Sequence, residues 1–240
     1  MKTRKTLSSI IAALILLCIA SGAVYLRKTY VKIEGRICRS DIQKISPDLR
    51  FTKIKEINRC TDVEEILLSS AYENAISSFA DFKKLSVLSL SFSRVNSSDS
   101  KKISTFSNLQ ELYIYRTDID LKGIGNSDLS YVWMLDSDVK NFNSLAECLS
   151  LRKISLTDTI IDDYMINSNG NFTMKDSGFL SSFNNVTELA IYVDSIEDVS
   201  GICEMDSLKE LIVSDGTISD EAIDQLEEKG IKVVQKKSDD

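Results

Sequence analysis

The feature that most constrains this chain is an eleven-residue pattern that returns seven times. From Leu109 the chain reads LQELYIYRTDI, and from Leu129 it reads LSYVWMLDSDV. Each copy is apolar at its first, fourth, sixth and eleventh places, with a small polar residue at the ninth. Further copies start at Val63, Leu85, Leu151, Val186 and Leu208, giving steps of 22, 24, 20, 22, 35 and 22 residues. The fourth places hold Ile66, Leu88, Leu112, Val132, Ile154, Leu189 and Leu211. The sixth hold Leu68, Leu90, Ile114, Met134, Leu156, Ile191 and Val213. With the starts, all 21 positions are apolar in a chain that is 43% hydrophobic. A fixed period of this length means one supersecondary unit per repeat. No unit can bury its apolar edge alone, so stacking must supply the core.

Two further ladders support the register. The eleventh place holds Val95, Ile119, Val139, Ile161, Ile196 and Ile218, and fails only at Glu73. The place three residues before each start holds Cys60, Phe82, Phe106, Asn126, Cys148, Phe183 and Met205. The pattern resembles the leucine-rich repeat, LxxLxLxxNxL, over roughly residues 54 to 235. Its spacing is most similar to that of bacterial internalin-type surface proteins. The resemblance implies an α/β solenoid: a horseshoe with one short parallel strand per unit on the concave face and short helical or 3₁₀ segments on the convex side. One departure stands out. Where the family has Asn at the ninth place, this chain has Ala71, Ser93, Thr117, Ser137, Thr159, Asp194 and Gly216. Hydroxyls satisfy fewer backbone groups than an amide, so a less regular and less stable solenoid is expected.

The organisation outside the repeats follows in order. Residues 1–28 form a leader: after the basic KTRK, Leu7 to Leu26 carries no charge, and Arg27 and Lys28 close the run. Twenty apolar residues just reach the length of a membrane span, which makes this an N-terminal hydrophobic helix and signal-anchor, with residues 7–26 in the membrane. The competing reading is a secretory signal cleaved after Ser21-Gly22-Ala23, leaving a secreted protein. Lys/Arg counts are similar on both flanks and decide little about orientation. Export by an N-terminal run places the repeats outside. Residues 29–62 are the N-terminal cap, 63–230 the repeats, and 231–240 a final strand and tail. Ser219 can cap a helix ended by Gly230. The long step between Leu151 and Val186 falls in DDYMINSNGNFTMKDSGFL, read as a loop from its Asn and Gly content.

Charge and cysteines bound the function. The chain carries -7 overall; without the leader's five cations the rest carries 24 basic and 36 acidic residues. That excludes nucleic acid as a natural partner, since nucleic acid needs a basic footprint. Cys38, Cys60, Cys148 and Cys203 lie beyond the leader. Cys60 and Cys148 sit four units apart, roughly 19 Å at strand spacing, too far for a disulfide. Only Cys38–Cys60 is close enough in sequence logic, and free thiols are expected. The chain has no His, which removes the usual general base and the commonest zinc ligand. Acidic pairs past the strands (Asp118 and Asp120, Asp136 and Asp138, Asp162 and Asp163) read as turn caps and solvated rim rather than as a hydrolase site. Neither a catalytic residue nor a cofactor or metal is implied.

Alternation along a strand assigns the third, fifth and seventh places to the concave surface. Five of those 21 residues are Tyr113, Tyr115, Tyr131, Trp133 and Tyr192, in a chain with eight Tyr and one Trp. Four lie on adjacent strands and should touch. Glu65, Glu111, Glu188 and Glu210 flank them. Tyr and Trp offer large, rigid area with a polar tip. The expected function is protein or peptide binding through this face, centred on the five aromatics with Glu111 and Glu188, with an acidic fringe suited to a basic partner. Trp and Tyr also stack on sugar rings, so a glycan is an alternative ligand, and a structural spacer is the alternative role.

Overall fold

A computed structural model describes residues 29–125 and 128–237. The run at residues 7–26 lies outside them. Among the described residues no helix is long and apolar enough to cross a membrane.

The cap opens with an antiparallel hairpin, β1 (Tyr30–Ile33) and β2 (Arg36–Arg39). Its turn puts Glu34 and Gly35 at φ 48 and 80, the left-handed pair that matches strand twist. A two-residue strand β3 (Lys44–Ile45) and one turn of helix α1 (Ile54–Ile57) follow. Each clear repeat then begins with a five-residue strand: β4 (Glu65–Ser69), β5 (Val87–Ser91), β7 (Glu111–Tyr115), β9 (Tyr131–Leu135), β11 (Lys153–Thr157), β15 (Glu188–Tyr192) and β17 (Glu210–Ser214). With β3 at one edge and β18 (Lys232–Lys236) at the other, they form a nine-stranded parallel sheet in sequence order. The register pairs like places throughout: Leu88 faces Leu112, then Val132, Ile154 and Leu189. All 21 apolar pattern positions are buried, as are the six apolar eleventh places and Cys60, Phe82, Phe106, Cys148, Phe183 and Met205.

Five of the eleventh places, Val95, Ile119, Val139, Ile161 and Ile196, stand on a second, seven-stranded sheet. Its members are β6 (Arg94–Val95), β8 (Asp118–Asp120), β10 (Asp138–Lys140), β12 (Ile160–Ile161), β13 (Met165–Ser168), β14 (Asn171–Met174) and β16 (Ser195–Ile196). The turn between the sheets is made at the eighth place. There Ser70, Phe92, Arg116, Asp136 and Asp158 all take a left-handed backbone, with φ between 44 and 56. Such a conformation is disfavoured for Phe and Arg, and a hydrogen-bond ladder holds it. Each of these N–H groups donates to the seventh-place carbonyl of the next unit, at 2.9 to 3.1 Å.

The ninth place corrects the expectation of an irregular solenoid. Ser93, Thr117, Ser137 and Thr159 are buried, and each hydroxyl donates to the carbonyl two residues back, at 2.8 to 2.9 Å. Three of them also accept from the preceding unit: Ala71 N donates to Ser93 Oγ (3.0 Å), Ser93 N to Thr117 Oγ1 (3.3 Å) and Thr117 N to Ser137 Oγ (3.2 Å). A hydroxyl is both donor and acceptor, so one small group satisfies two backbone groups in different units, and the register runs through unbroken.

The insertion after Ile161 is also different from expectation. It is no loop but the hairpin β13–β14, turning at Asn169 (φ 56) and Gly170 (φ 88). Asn-Gly between alternating apolar residues is a strong hairpin signal. Met165 and Met174 face each other across it and are buried, and Tyr164 stacks on Phe179 at 4.9 Å.

Short helical pieces form the convex side: 3₁₀ turns at Ile76–Ser78, Phe142–Glu147 and Gly178–Leu180, and helices α2 (Ser97–Ile103), α3 (Ser200–Cys203) and α4 (Asp220–Glu228). Two aspartates pin neighbouring pieces together. Asp99, fully buried, accepts from Asn74 N (2.8 Å), Ser77 N (2.8 Å) and Asn96 N (3.2 Å). Asp198 accepts from Ser177 N (2.9 Å) and Oγ (2.8 Å) and from Ser200 N (3.2 Å) and Oγ (3.0 Å). Burial pushes the Asp198 carboxyl up, but these four bonds outweigh it and hold it at about 2. Between them Gly201 packs so tightly that a Cβ would lie 2.0 Å from the Ser177 carbonyl oxygen.

Three outcomes follow for urea unfolding followed by circular dichroism. Gly201→Ala forces backbone apart and lowers stability by roughly 1–3 kcal/mol. Thr117→Val keeps the volume but strands the Ser93 N–H, while the Tyr115 carbonyl keeps the Phe92 N–H, costing roughly 1–3 kcal/mol. Asp198 titrates below its ordinary value of 3.8, so its contribution is complete above that pH and fades as pH falls through about 2. Stability of the wild type should decline across that window, while Asp198→Asn starts lower and loses less there.

Candidate functional site: the concave aromatic face

The third, fifth and seventh places do face away from the core, and most are half-exposed. Because like places are in register, Tyr113 stands beside Trp133 and Glu111 beside Tyr131. Three of the five aromatics form one cluster. The Tyr113 ring meets Tyr131 edge-on at 5.7 Å and lies 6.1 Å from Trp133. The small Ser155 and Ala190 sit next in the same fifth-place row and are buried, so this part of the sheet is shielded by its larger neighbours.

Tyr115 does not join the cluster through a ring contact. It turns to the rim, edge-on to Phe92 at 5.3 Å, with the Arg116 guanidinium 5.1 Å from its ring centre. Tyr192 stands three strands from Tyr115 in the seventh-place row, about 14 Å away at strand spacing. The expected contact among all four neighbouring aromatics is thus met by three of them.

The acidic flank is neutralised by the protein itself. The third-place row reads Lys44, Glu65, Val87, Glu111, Tyr131, Lys153, Glu188, Glu210, Lys232. Lys44 pairs with Glu65 (2.7 Å), Lys153 with Glu188 (2.5 Å) and Lys232 with Glu210 (2.6 Å). These pairs are partly exposed and individually weak, yet they leave no bare acidic row. Glu111 instead accepts from Tyr113 Oη at 2.6 Å. That bond to a carboxylate, with burial adding to it, pushes the Tyr113 phenol up to about 12. Burial raises Tyr131 as well, opposed by Lys153, whose ammonium lies 5.4 Å from the ring centre.

The rim at the eighth place was not part of the expected site. Phe92 is 56% exposed, Arg116 bridges to Asp136 at 2.7 Å, and Asp158 follows. Burial raises the Asp158 carboxyl, with Asp194 and Asp136 adding to the shift. Acidic character that the third-place row lacks is therefore found here. The signal was present in the sequence as the residue after each strand.

The remaining chemistry is structural. A groove of about 400 Å³ on the second sheet is lined by Arg94, Asn96, Asp118, Asp120, Asp138 and Lys140, among others. Asp120 accepts from Asn141 Nδ2 (2.8 Å) and Lys122 N (3.0 Å), and Asp162 from Asn141 N (3.2 Å). These carboxylates cap turns. Among the described residues no group of three or more metal-ligating side chains occurs. Among the described residues Cys38, Cys60 and Cys203 are free thiols, and Cys148 Sγ donates to the Ile124 carbonyl at 3.7 Å. Burial, with Cys38 nearby, pushes Cys60 up to about 11, which keeps it unreactive.

This architecture is that of the leucine-rich repeat proteins, and its repeats resemble those of internalins. An internalin C2 from Listeria monocytogenes superposes with a TM-score of 0.52 at 16% identity, over 84% of this chain and 86% of that one. Another Listeria internalin (inlF) gives 0.49 at 17% identity, over 86% of this chain and 66% of that one. The ectodomain of the Arabidopsis thaliana receptor kinase GASSHO1/SCHENGEN3, in complex with CASPARIAN STRIP INTEGRITY FACTOR 2, gives 0.45 at 14% identity, over 78% of this chain and 23% of that one. No protein-family model and no curated protein sequence matches the chain.

The Tyr113–Glu111 bond is directly testable. In an ultraviolet titration of tyrosinate, Glu111→Gln should bring the Tyr113 phenol down from about 12 toward its ordinary 10.0, with Tyr131, which the Glu111 charge also raises, moving down by less.

Proposed function

We propose that this protein is a recognition module that binds a protein or peptide across its concave face, with Tyr113, Tyr131 and Trp133 as the anchor. The observation that carries this is the contiguous, half-exposed aromatic cluster on a sheet face that the inserted hairpin leaves uncovered, because β13 and β14 pair within the other sheet. Aromatic residues with a fixed orientation lose little freedom on binding and dominate interface energetics. Tyr192 and the Lys153–Glu188 pair border the cluster, and Glu111 orients Tyr113. Tyr115, Phe92 and Arg116 extend the contact area to the rim. Any preference for a basic partner segment would rest on Asp158 and Asp194 at that rim, since Asp136 is bridged to Arg116, rather than on the paired glutamates. The same reading places the repeats outside a membrane, tethered through residues 7–26 or released by cleavage there.

Trp133 is the only tryptophan, so its emission reports on this face alone. Affinity capture with the full chain, beside the Trp133→Ala, Tyr113→Ala double variant checked for folding, should yield a partner held by the wild type only. Adding the purified partner should shift Trp133 fluorescence, and each alanine should weaken binding by roughly 2 kcal/mol or more. Equal capture by both chains would move the role to a spacer. A Trp133 response to oligosaccharides but to no protein would favour the glycan.

A further inference from the structure

We propose that the outer face of the N-terminal hairpin is a contact surface for an anionic lipid bilayer. Cross-strand partners share a face of a hairpin. Val31 and Ile33 are buried, so their face is the inner one. The outer face carries the pairs Tyr30–Arg39 and Lys32–Ile37. Ile37 is 76% exposed and Tyr30 40%. An aliphatic and a tyrosine side chain interleaved with a Lys and an Arg is the composition of a membrane interface: the rings and alkyl groups enter the boundary and the cations reach up to the headgroups.

A second exposed apolar group stands beside the hairpin turn. Phe51 is 73% exposed, and the Arg50 guanidinium lies 5.4 Å from its ring centre. Its loop is tied to the turn, with Asp48 N donating to Glu34 Oε1 (2.8 Å) and Glu34 N to Thr52 Oγ1 (3.1 Å). Hairpin and loop therefore move together.

Charge orients the molecule the same way. Residues 29–62 carry eight basic and five acidic side chains, whereas residues 63–240 carry 16 and 31. Arg39 is paired to Asp41 at 2.6 Å, and the cap is still net positive. An anionic surface attracts the cap and repels the repeats. Chain length decides between lipid and protein as the occupant. Only three residues, four Cα–Cα steps, separate Leu26, the end of the uncharged run, from Tyr30. They reach at most about 14 Å, so a bilayer holding that run has the hairpin within its headgroup zone. The proposal stands apart from the concave-face reading, whose residues lie on other strands.

The test uses the full chain with Trp133→Phe and Ile37→Trp, in vesicles of phosphatidylcholine with or without phosphatidylglycerol, with brominated acyl chains as quencher. Position 37 is exposed, and circular dichroism checks the fold. The Ile37→Trp reporter should shift to the blue and be quenched in the anionic vesicles. Lys32→Glu with Arg39→Glu, the two cations of the outer face, should cut that quenching severalfold, since each basic residue near such a surface is worth roughly fivefold. The native Trp133, in the otherwise unchanged chain, should stay unquenched. Vesicles that carry the chain while the reporter emits as in water would overturn the proposal. So would quenching that ignores lipid charge and charge reversal, or a blue shift already present without vesicles, which would mean a second chain covers the face.

Discussion

Everything in this structure depends on the coupling between one unit and the next. Three successive positions carry it. The seventh-place carbonyl accepts from the left-handed eighth-place N–H of the preceding unit, and the ninth-place hydroxyl binds its own strand and, in three units, the neighbour's N–H. A left-handed backbone at Phe92 or Arg116 is unfavourable for an isolated chain. It persists because five consecutive units adopt it together and each supplies the acceptor for the one before. The apolar ladders need the same coupling, since a single strand exposes both edges of its core. Hydrogen bonding and burial thus impose one register.

That register also builds the aromatic face. Like places align, so a residue type repeated in neighbouring units becomes a contact rather than a coincidence. Tyr131 in the third-place row and Tyr113 and Trp133 in the fifth meet for this reason. The lysines at Lys44, Lys153 and Lys232 neutralise the glutamates at the same place on the adjoining strands. What is left is an amphipathic aromatic patch in a row of satisfied charges, with unbalanced acidity displaced to the rim.

The repeat, the parallel sheet and the concave residues were legible because periodicity is a property of the sequence itself. Features that depend on which neighbour a side chain meets were not. Lys153 in its own unit is a surface lysine; only alignment with Glu188, 35 residues on, makes it a partner. Tyr115 has the same place and strand as the cluster residues, and its turn to the rim is set by Phe92 and Arg116, whose eighth-place conformation carries no apolar signature. The inserted hairpin was readable from Asn169-Gly170 and the alternation around it, but the density of polar residues masks a strand pair whose buried groups are two methionines. The ninth place misleads in the other direction: judged singly, a hydroxyl is a poor substitute for an amide, but from Ala71 to Ser137 each hydroxyl takes the N–H of the unit before it.

The hairpin also breaks the symmetry of the solenoid at a defined point. On the concave sheet β11 and β15 are adjacent. On the second sheet β12 and β16, which follow them, are separated by β13 and β14. Two extra strands add roughly 10 Å on one side of the unit and none on the other. β11 and β15 nevertheless pair in unbroken parallel register from Lys153–Glu188 to Thr157–Tyr192. The residues at that junction are Ser155 and Ala190, the two smallest side chains facing each other on the concave surface, and both are buried. Small side chains there let the flanking rows close over the sheet without a clash. The Tyr113–Tyr131–Trp133 cluster lies on one side of this junction and Tyr192 stands on the other, so the small pair separates the two parts of the aromatic face.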